Sequence, residues 1–143
     1  VTAAVVRNTW EHFPHGADVG IRGIGPTKDD AFQQIAIALT AVVTNPLAVR
    51  PLEPIRIACE APDDEELLVD WLDALVYETA TRHLLFGVFV VHIDGVRLTA
   101  TAWGEPIDLV RHEPAVEVKG ATYTALRVGP VNGHWLAQCV VDV

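Results

Sequence analysis

The sequence predicts an α+β domain: two helices packed on a mainly antiparallel β-sheet, closed by C-terminal hairpins, with residues 1–143 forming one unit. Two observations predict the class. Apolar residues recur at three- and four-residue spacing in two stretches and alternate in most of the others. The order then runs strand, strand, helix, strand, helix and a block of hairpins, which segregates helices from the later strands. A third observation sets the scale: half of the 143 residues are hydrophobic and a fifth are charged, enough for one buried core. A doubly wound nucleotide fold would need alternating βα units and a Gly-rich phosphate turn, and the sequence has neither.

From Asn8 to Gly25 the pattern is two short extended segments around Pro14-His15-Gly16. Thr27-Lys28-Asp29-Asp30 is a capping-box pattern, a hydroxyl for the first free amides and an acid three residues on. Behind it Phe32, Ile35, Ala36, Leu39, Val42 and Val43 form one helical face that ends near Thr44-Asn45-Pro46. A Pro-rich connector from Pro46 to Pro54 leads into the strand Ile55 to Cys59. Pro62-Asp63-Asp64-Glu65-Glu66 opens a second helix, its acids matching the positive end of the helix dipole. Leu67, Leu68, Trp71, Leu72, Leu75 and Val76 are its buried stripe, and Glu65, Glu66 and Asp70 a solvated face.

Leu84 to Gly104 is a hairpin about an Asp94-Gly95 turn. Gly104 to Pro114 is a polar, densely charged link expected to be a solvated connector. Val116 to Lys119 has strand-forming residues, which would project Lys119 from a strand face. Two further strands flank Asn132-Gly133, a type I′ turn pattern, and the last runs from Trp135 to Val141.

Acidic residues outnumber basic ones 19 to 10, for a formal net charge of -9. Because phosphate contacts rest on Lys and Arg, strong direct binding of nucleic acid is not expected; a cation or a basic protein surface fits better. Cys59 and Cys139 lie far apart in apolar contexts with no metal-ligand spacing, which reads as buried reduced thiols in a reducing, cytoplasmic setting. No apolar run reaches the ~18 residues of a membrane span. Val1 to Arg7 shows neither a basic leader nor a long apolar core, so no signal peptide is expected.

Several groups carry candidate chemistry. Asp18 stands between Ala17 and Val19 at the start of an extended segment, where Asp is depleted, so it is a turn residue, a ligand or a catalytic group. Asp142 is penultimate, beside the carboxylate of Val143. If the last strand pairs beside the segment that carries Asp18, these oxygens converge, and an all-oxygen set suits Ca²⁺, Mg²⁺ or Mn²⁺ rather than Zn²⁺. The alternative is a turn Asp and an unrelated terminal Asp. His12 and His15, three apart on extended chain, point to opposite faces, which argues against joint ligation. His83, His92, His112 and His134 stand in no H-x-x-x-H or H-E-x-x-H pattern, and the chain has no Ser, which removes Ser-His-Asp chemistry.

The string from Trp10 to Gly23 resembles the N-terminal signature of the archease family. Glu65 to Leu72 is similar to that family's second helix, Ala102 to Asp108 and Val116 to Tyr123 to its later blocks, and Val-Val-Asp-Val to its ending. The blocks span essentially the whole chain in order. The resemblance implies a non-enzymatic protein cofactor that acts on an RtcB-type RNA-splicing ligase, promoting its guanylylation and multiple turnover and broadening its nucleotide use. It also implies a divalent cation, calcium first and magnesium or manganese next, held by Asp18, Asp142 and main-chain oxygen of Val143. His12, His15, Glu105 and Lys119 are then candidates for the ion's surroundings or the partner contact. The family commonly has Thr at Gly16 and Ile at Val19 and Val143. Two rival readings use the same residues: a metal-dependent phosphoester hydrolase employing His12 or His15, and a chaperone-like interaction module whose acids are structural.

Overall fold

A computed structural model describes residues 7–143. Strands β1 (Thr9–His15) and β2 (Asp18–Gly25) open the chain and lead into helix α1 (Lys28–Val43). Its start is the expected capping box: the Thr27 hydroxyl accepts from the Asp30 N–H while the Asp30 carboxylate reaches back to the Thr27 N–H. Thr44 caps its end, and Asn45 and Pro46 start a single 3-10 turn, Pro46–Ala48. Then follow β3 (Glu53–Glu60) and α2 (Asp64–Arg82). The Asp63 side chain accepts from the Glu66 N–H at the start of α2, and left-handed His83 closes it. After β4 (Leu84–Asp94), β5 (Arg97–Pro106) and a one-turn helix α3 (Leu109–His112) come β6 (Gly120–Ala121), β7 (Arg127–Val131) and β8 (His134–Asp142).

The α+β class holds, with all strand pairs antiparallel, but the strands divide into two sheets. The larger has β1, β2 and β8 in that order, and both β6 and β7 pair along the far edge of β8; the smaller is β3-β5-β4. Helix α1 lies on β2 and β8 of the first sheet and on β4 of the second, and α2 packs on β3 and β4 and against β6 and β7. One core therefore serves both sheets, with Phe32, Ile35, Trp71, Leu72, Ile21 and Cys139 fully buried. The close approach of α1 to β2 requires Gly23, because a Cβ there would sit 2.2 Å from the Ala31 carbonyl oxygen.

Three local expectations change. The first hairpin turn of the smaller sheet is Gly95-Val96, with Asp94 paired to Arg97 as the last strand position. Only Gly95 has positive φ, which matches a Gly-X turn and not a type I′ turn; Asn132-Gly133, both positive, is type I′ as expected. The Gly104–Pro114 link is not a solvated connector: Gly104 to Pro106 remain in β5, residues 109–112 are helical, and Glu105 and His112 are buried. Val116 to Lys119 is not a strand, and pairing begins only at Gly120. Cys139 is buried and Cys59 only half-buried, both free and on different sheets; burial pushes their thiols up to about 12 and about 11, with Asp73 and Asp70 adding to the effect. No helix among the described residues is long and apolar enough to cross a membrane.

Candidate functional site

The site is built where the first hairpin meets the last strand. His15 and Asp18 are the closing pair of the β1–β2 hairpin, with Gly16-Ala17 as its two-residue turn. Gly16 has φ +59°, a value that costs any residue with a Cβ; Gly16→Ala is expected to lower stability by about 1 kcal/mol in denaturant unfolding. From Val19↔Val141 to Gly25↔Trp135, β2 pairs in register with β8, so the next step of the same register sets Asp18 across from Asp142. Val19 and Val141 turn into the core, so alternation sends Asp18 and Asp142 together to the opposite face. The far edge of Asp142 is held too: it pairs with Gly120, and its carbonyl accepts the Lys119 N–H at 2.8 Å.

Asp18 is half-buried and Asp142 exposed. Among the described residues neither side chain joins an ion pair or accepts a hydrogen bond. Directly opposed strand residues have Cβ atoms ~5 Å apart. Hard oxygen donors left out of any ion pair suit a hard divalent cation. No group of three or more His, Cys, Asp or Glu side chains among the described residues is arranged to hold a metal. Asp18 and Asp142 supply at most two carboxylates, so a cation here would need main-chain oxygen or atoms from outside to complete its shell.

The other candidates divide. His15 faces Asp18 by register, on the same side of the ribbon. Lys119 is exposed and shares with Asp142, Asp73 and Tyr77 a shallow depression of about 490 Å³. The Asp73 carboxylate accepts the Ala121 N–H at 2.9 Å and so braces β6. Beside it, burial, Glu66 and Asp73 together raise the Asp70 carboxyl.

His12 and Glu105 do not join this group. His12 is turned to the helix layer, where its Nε2 lies 2.8 Å from the Ala38 carbonyl oxygen and its ring packs on Trp10, the consequence of its three-residue offset from His15. Glu105 lies in the smaller sheet, 4 % exposed, with its carboxylate consumed internally. It accepts from the Arg50 N–H at 2.6 Å and the Arg111 guanidinium, and lies 3.1 Å from His112 Nε2. Burial raises its pKa, but the Arg50 N–H, Arg111 and His112 together outweigh that and hold it at about 2. His112 and Arg111 escape detection in the sequence because nothing local marks a polar link whose charges face inward.

The geometry defines a class: a small two-sheet α+β protein that brings an aspartate hairpin and its final strand together to present paired carboxylates. The model of the archease protein family matches residues 10–143. The chain is 40 % identical over 139 residues to the protein archease of Pyrococcus furiosus, an alignment covering 94 % of this chain and 98 % of that one. It is 34 % identical over 136 residues to that of Sulfurisphaera tokodaii, with the same coverage. The solution structure of Methanobacterium thermoautotrophicum protein 1598 superposes with a TM-score of 0.83 at 33 % identity, covering 94 % of this chain and 98 % of that one. An archease and possible chaperone from Thermotoga maritima shares the fold at a TM-score of 0.59 and 13 % identity, over 92 % and 94 % of the two chains. The chain belongs to the archease family.

Proposed function

We propose that this protein is a cytoplasmic, non-enzymatic activator of an RtcB-type RNA ligase that works through a divalent cation at Asp18, Asp142 and the main-chain oxygen of Val143. The observation that carries the reading is the β2–β8 register, which aligns two aspartates on one face, neither of them in an ion pair with a described residue. Family membership supports the partner class, and the net charge of -9 suits a protein that docks at a basic nucleotide and RNA cleft without binding RNA itself.

In this reading Asp18 and Asp142 hold the ion with one side open, and His15 and Lys119 border it. Calcium is the first candidate and magnesium or manganese the next, since all the donors are oxygen. When bound, the ion supplies positive charge for phosphate oxygens, and charge neutralisation is most of the task in nucleotidyl and phosphoryl transfer. The hydrolase alternative loses one of its two histidines, because His12 is bonded to α1.

The test is multiple-turnover ligation of cleaved RNA by an RtcB-type ligase with GTP and Mn²⁺. Wild-type protein is expected to raise turnover, and Asp18→Ala and Asp142→Ala to return it to the unassisted rate while unfolding at the wild-type temperature. Undiminished turnover with both variants would overturn the metal reading; no stimulation by wild type would overturn the activator reading itself.

A further inference from the structure

Helix α3 is built inside out. A helix at a protein surface ordinarily buries its apolar residues and hydrates its charges. Here Leu109 and Val110 are 74 % and 86 % exposed, whereas His112 is 3 % exposed and Arg111 is half-buried. The anchors are polar and numerous. Arg111 donates to the Glu105 carboxylate and to the Ala48 carbonyl oxygen at 2.6 Å, and the Thr44 hydroxyl donates to the His112 carbonyl at 2.5 Å. The Asp108 N–H donates to His112 Nδ1 at 2.8 Å, which leaves the ring proton on Nε2, facing Glu105. The Asp108 carboxylate accepts from the N–H groups of Val110 and Arg111 and sets the first turn. Burying a carboxylate, a guanidinium and an imidazole is costly unless each is paired. The fold meets that requirement in full, and the result is that two aliphatic side chains are held out in water.

A second feature adjoins them. A cavity of about 400 Å³ opens between the C-terminal halves of α1 and α2 and the 107–118 segment, with Leu39, Val43, Leu75, Val76, Leu109 and Val116 among its walls. That volume lies within the range of built binding pockets, and its lining is chiefly apolar. Glu117 is among its walls, and Glu113 precedes the wall residue Pro114 in the chain; both are exposed and in no ion pair with a described residue. Leu109 thus belongs both to the cavity wall and to the exposed pair.

We propose that this surface, which adjoins the Lys119–Asp142 depression through Val76, is a docking site for an amphipathic segment of a partner protein. One large apolar side chain enters the cavity past Leu109 and Val116, and flanking Lys or Arg residues meet Glu113 and Glu117. Charge complementarity selects that occupant. An anionic bilayer is repelled by the acidic rim and by the net charge of -9, whereas a basic amphipathic segment is drawn to both. The rigid Glu105–Arg111–His112 anchor keeps the two aliphatic side chains pre-positioned, which lowers the ordering cost of binding.

The test uses a synthetic helical peptide of Leu and Lys with one Trp on its apolar face, a matched peptide with Glu in place of Lys, and phosphatidylglycerol vesicles. Binding is read by Trp fluorescence and by methyl chemical shifts of the whole protein. Saturable binding of the Lys peptide is expected, with shifts at Leu109, Val110, Val116 and Val43. Leu109→Asp and Val110→Asp, at exposed positions, should unfold at the wild-type temperature yet weaken binding about tenfold or more, the worth of one lost apolar anchor. Glu117→Lys should narrow the preference for the Lys peptide over the Glu peptide. The proposal is overturned by unchanged affinity in the Leu109→Asp and Val110→Asp variants, by equal affinity for the two peptides, or by shifts that fall elsewhere. Binding to vesicles with none to peptide would overturn it as well.

Discussion

Trp71→Ala is expected to lower the unfolding free energy by about 3–5 kcal/mol, the range for removing a fully buried aromatic side chain from a core. Trp71 has no exposed surface, its Nε1–H donates to the Phe32 carbonyl at 3.1 Å, and its ring meets Phe89 edge-on at 6.2 Å. It therefore joins α1, α2 and the smaller sheet at one point. Domains of this size are stable by roughly 5–15 kcal/mol, so the substitution removes much of the reserve. Denaturant unfolding should show the midpoint falling sharply with little change in slope. Trp71→Phe keeps most of the ring volume and loses the hydrogen bond, so its cost should be well below that of the alanine variant. Equal costs for the two variants would show that the bond to Phe32, and not the packing, dominates.

Glu105→Gln is expected to weaken the fold in a pH-dependent way. The Glu105 carboxyl is held at about 2, below its ordinary 4.5, by the Arg50 N–H, Arg111 and His112, which outweigh the opposing effect of burial. A depressed carboxyl adds stability that is fully present above its unfolded value and is lost as pH falls through its folded value. The stability difference between wild type and Glu105→Gln should therefore be constant above pH 4.5 and shrink progressively as pH falls toward about 2. Thermal unfolding of both proteins across that window measures it. A difference that does not change with pH would mean that the amide's shape and hydrogen bonding, and not the carboxylate charge, account for the effect. The same substitution loosens the anchor of α3, so it should also reduce the peptide binding proposed for Leu109 and Val110.

Short-range chemistry was the most legible. The Thr27 capping box, the acidic start of α2 and its apolar stripe through Leu67, Trp71 and Leu75 all lie within a few residues of one another, and each appears where expected. The Gly95-Val96 turn slipped by one position because Asp-Gly fits two hairpin geometries, and cross-strand pairing of Asp94 with Arg97 chose between them. The opposite orientations of His12 and His15 also followed from spacing alone.

What the sequence by itself determined about this protein is helices α1 and α2 with their N-terminal caps and buried faces, the longer strands, and the presence of aspartates at positions 18 and 142. The tertiary structure alone decided that Asp18 and Asp142 share a face, because strand register couples residues more than a hundred positions apart. It alone decided that Glu105 and His112 go inward while Leu109 and Val110 stay out. Whether a charge can be buried depends on the partners that reach it, and for Glu105 one of those is the backbone of Arg50, brought in from a distant loop.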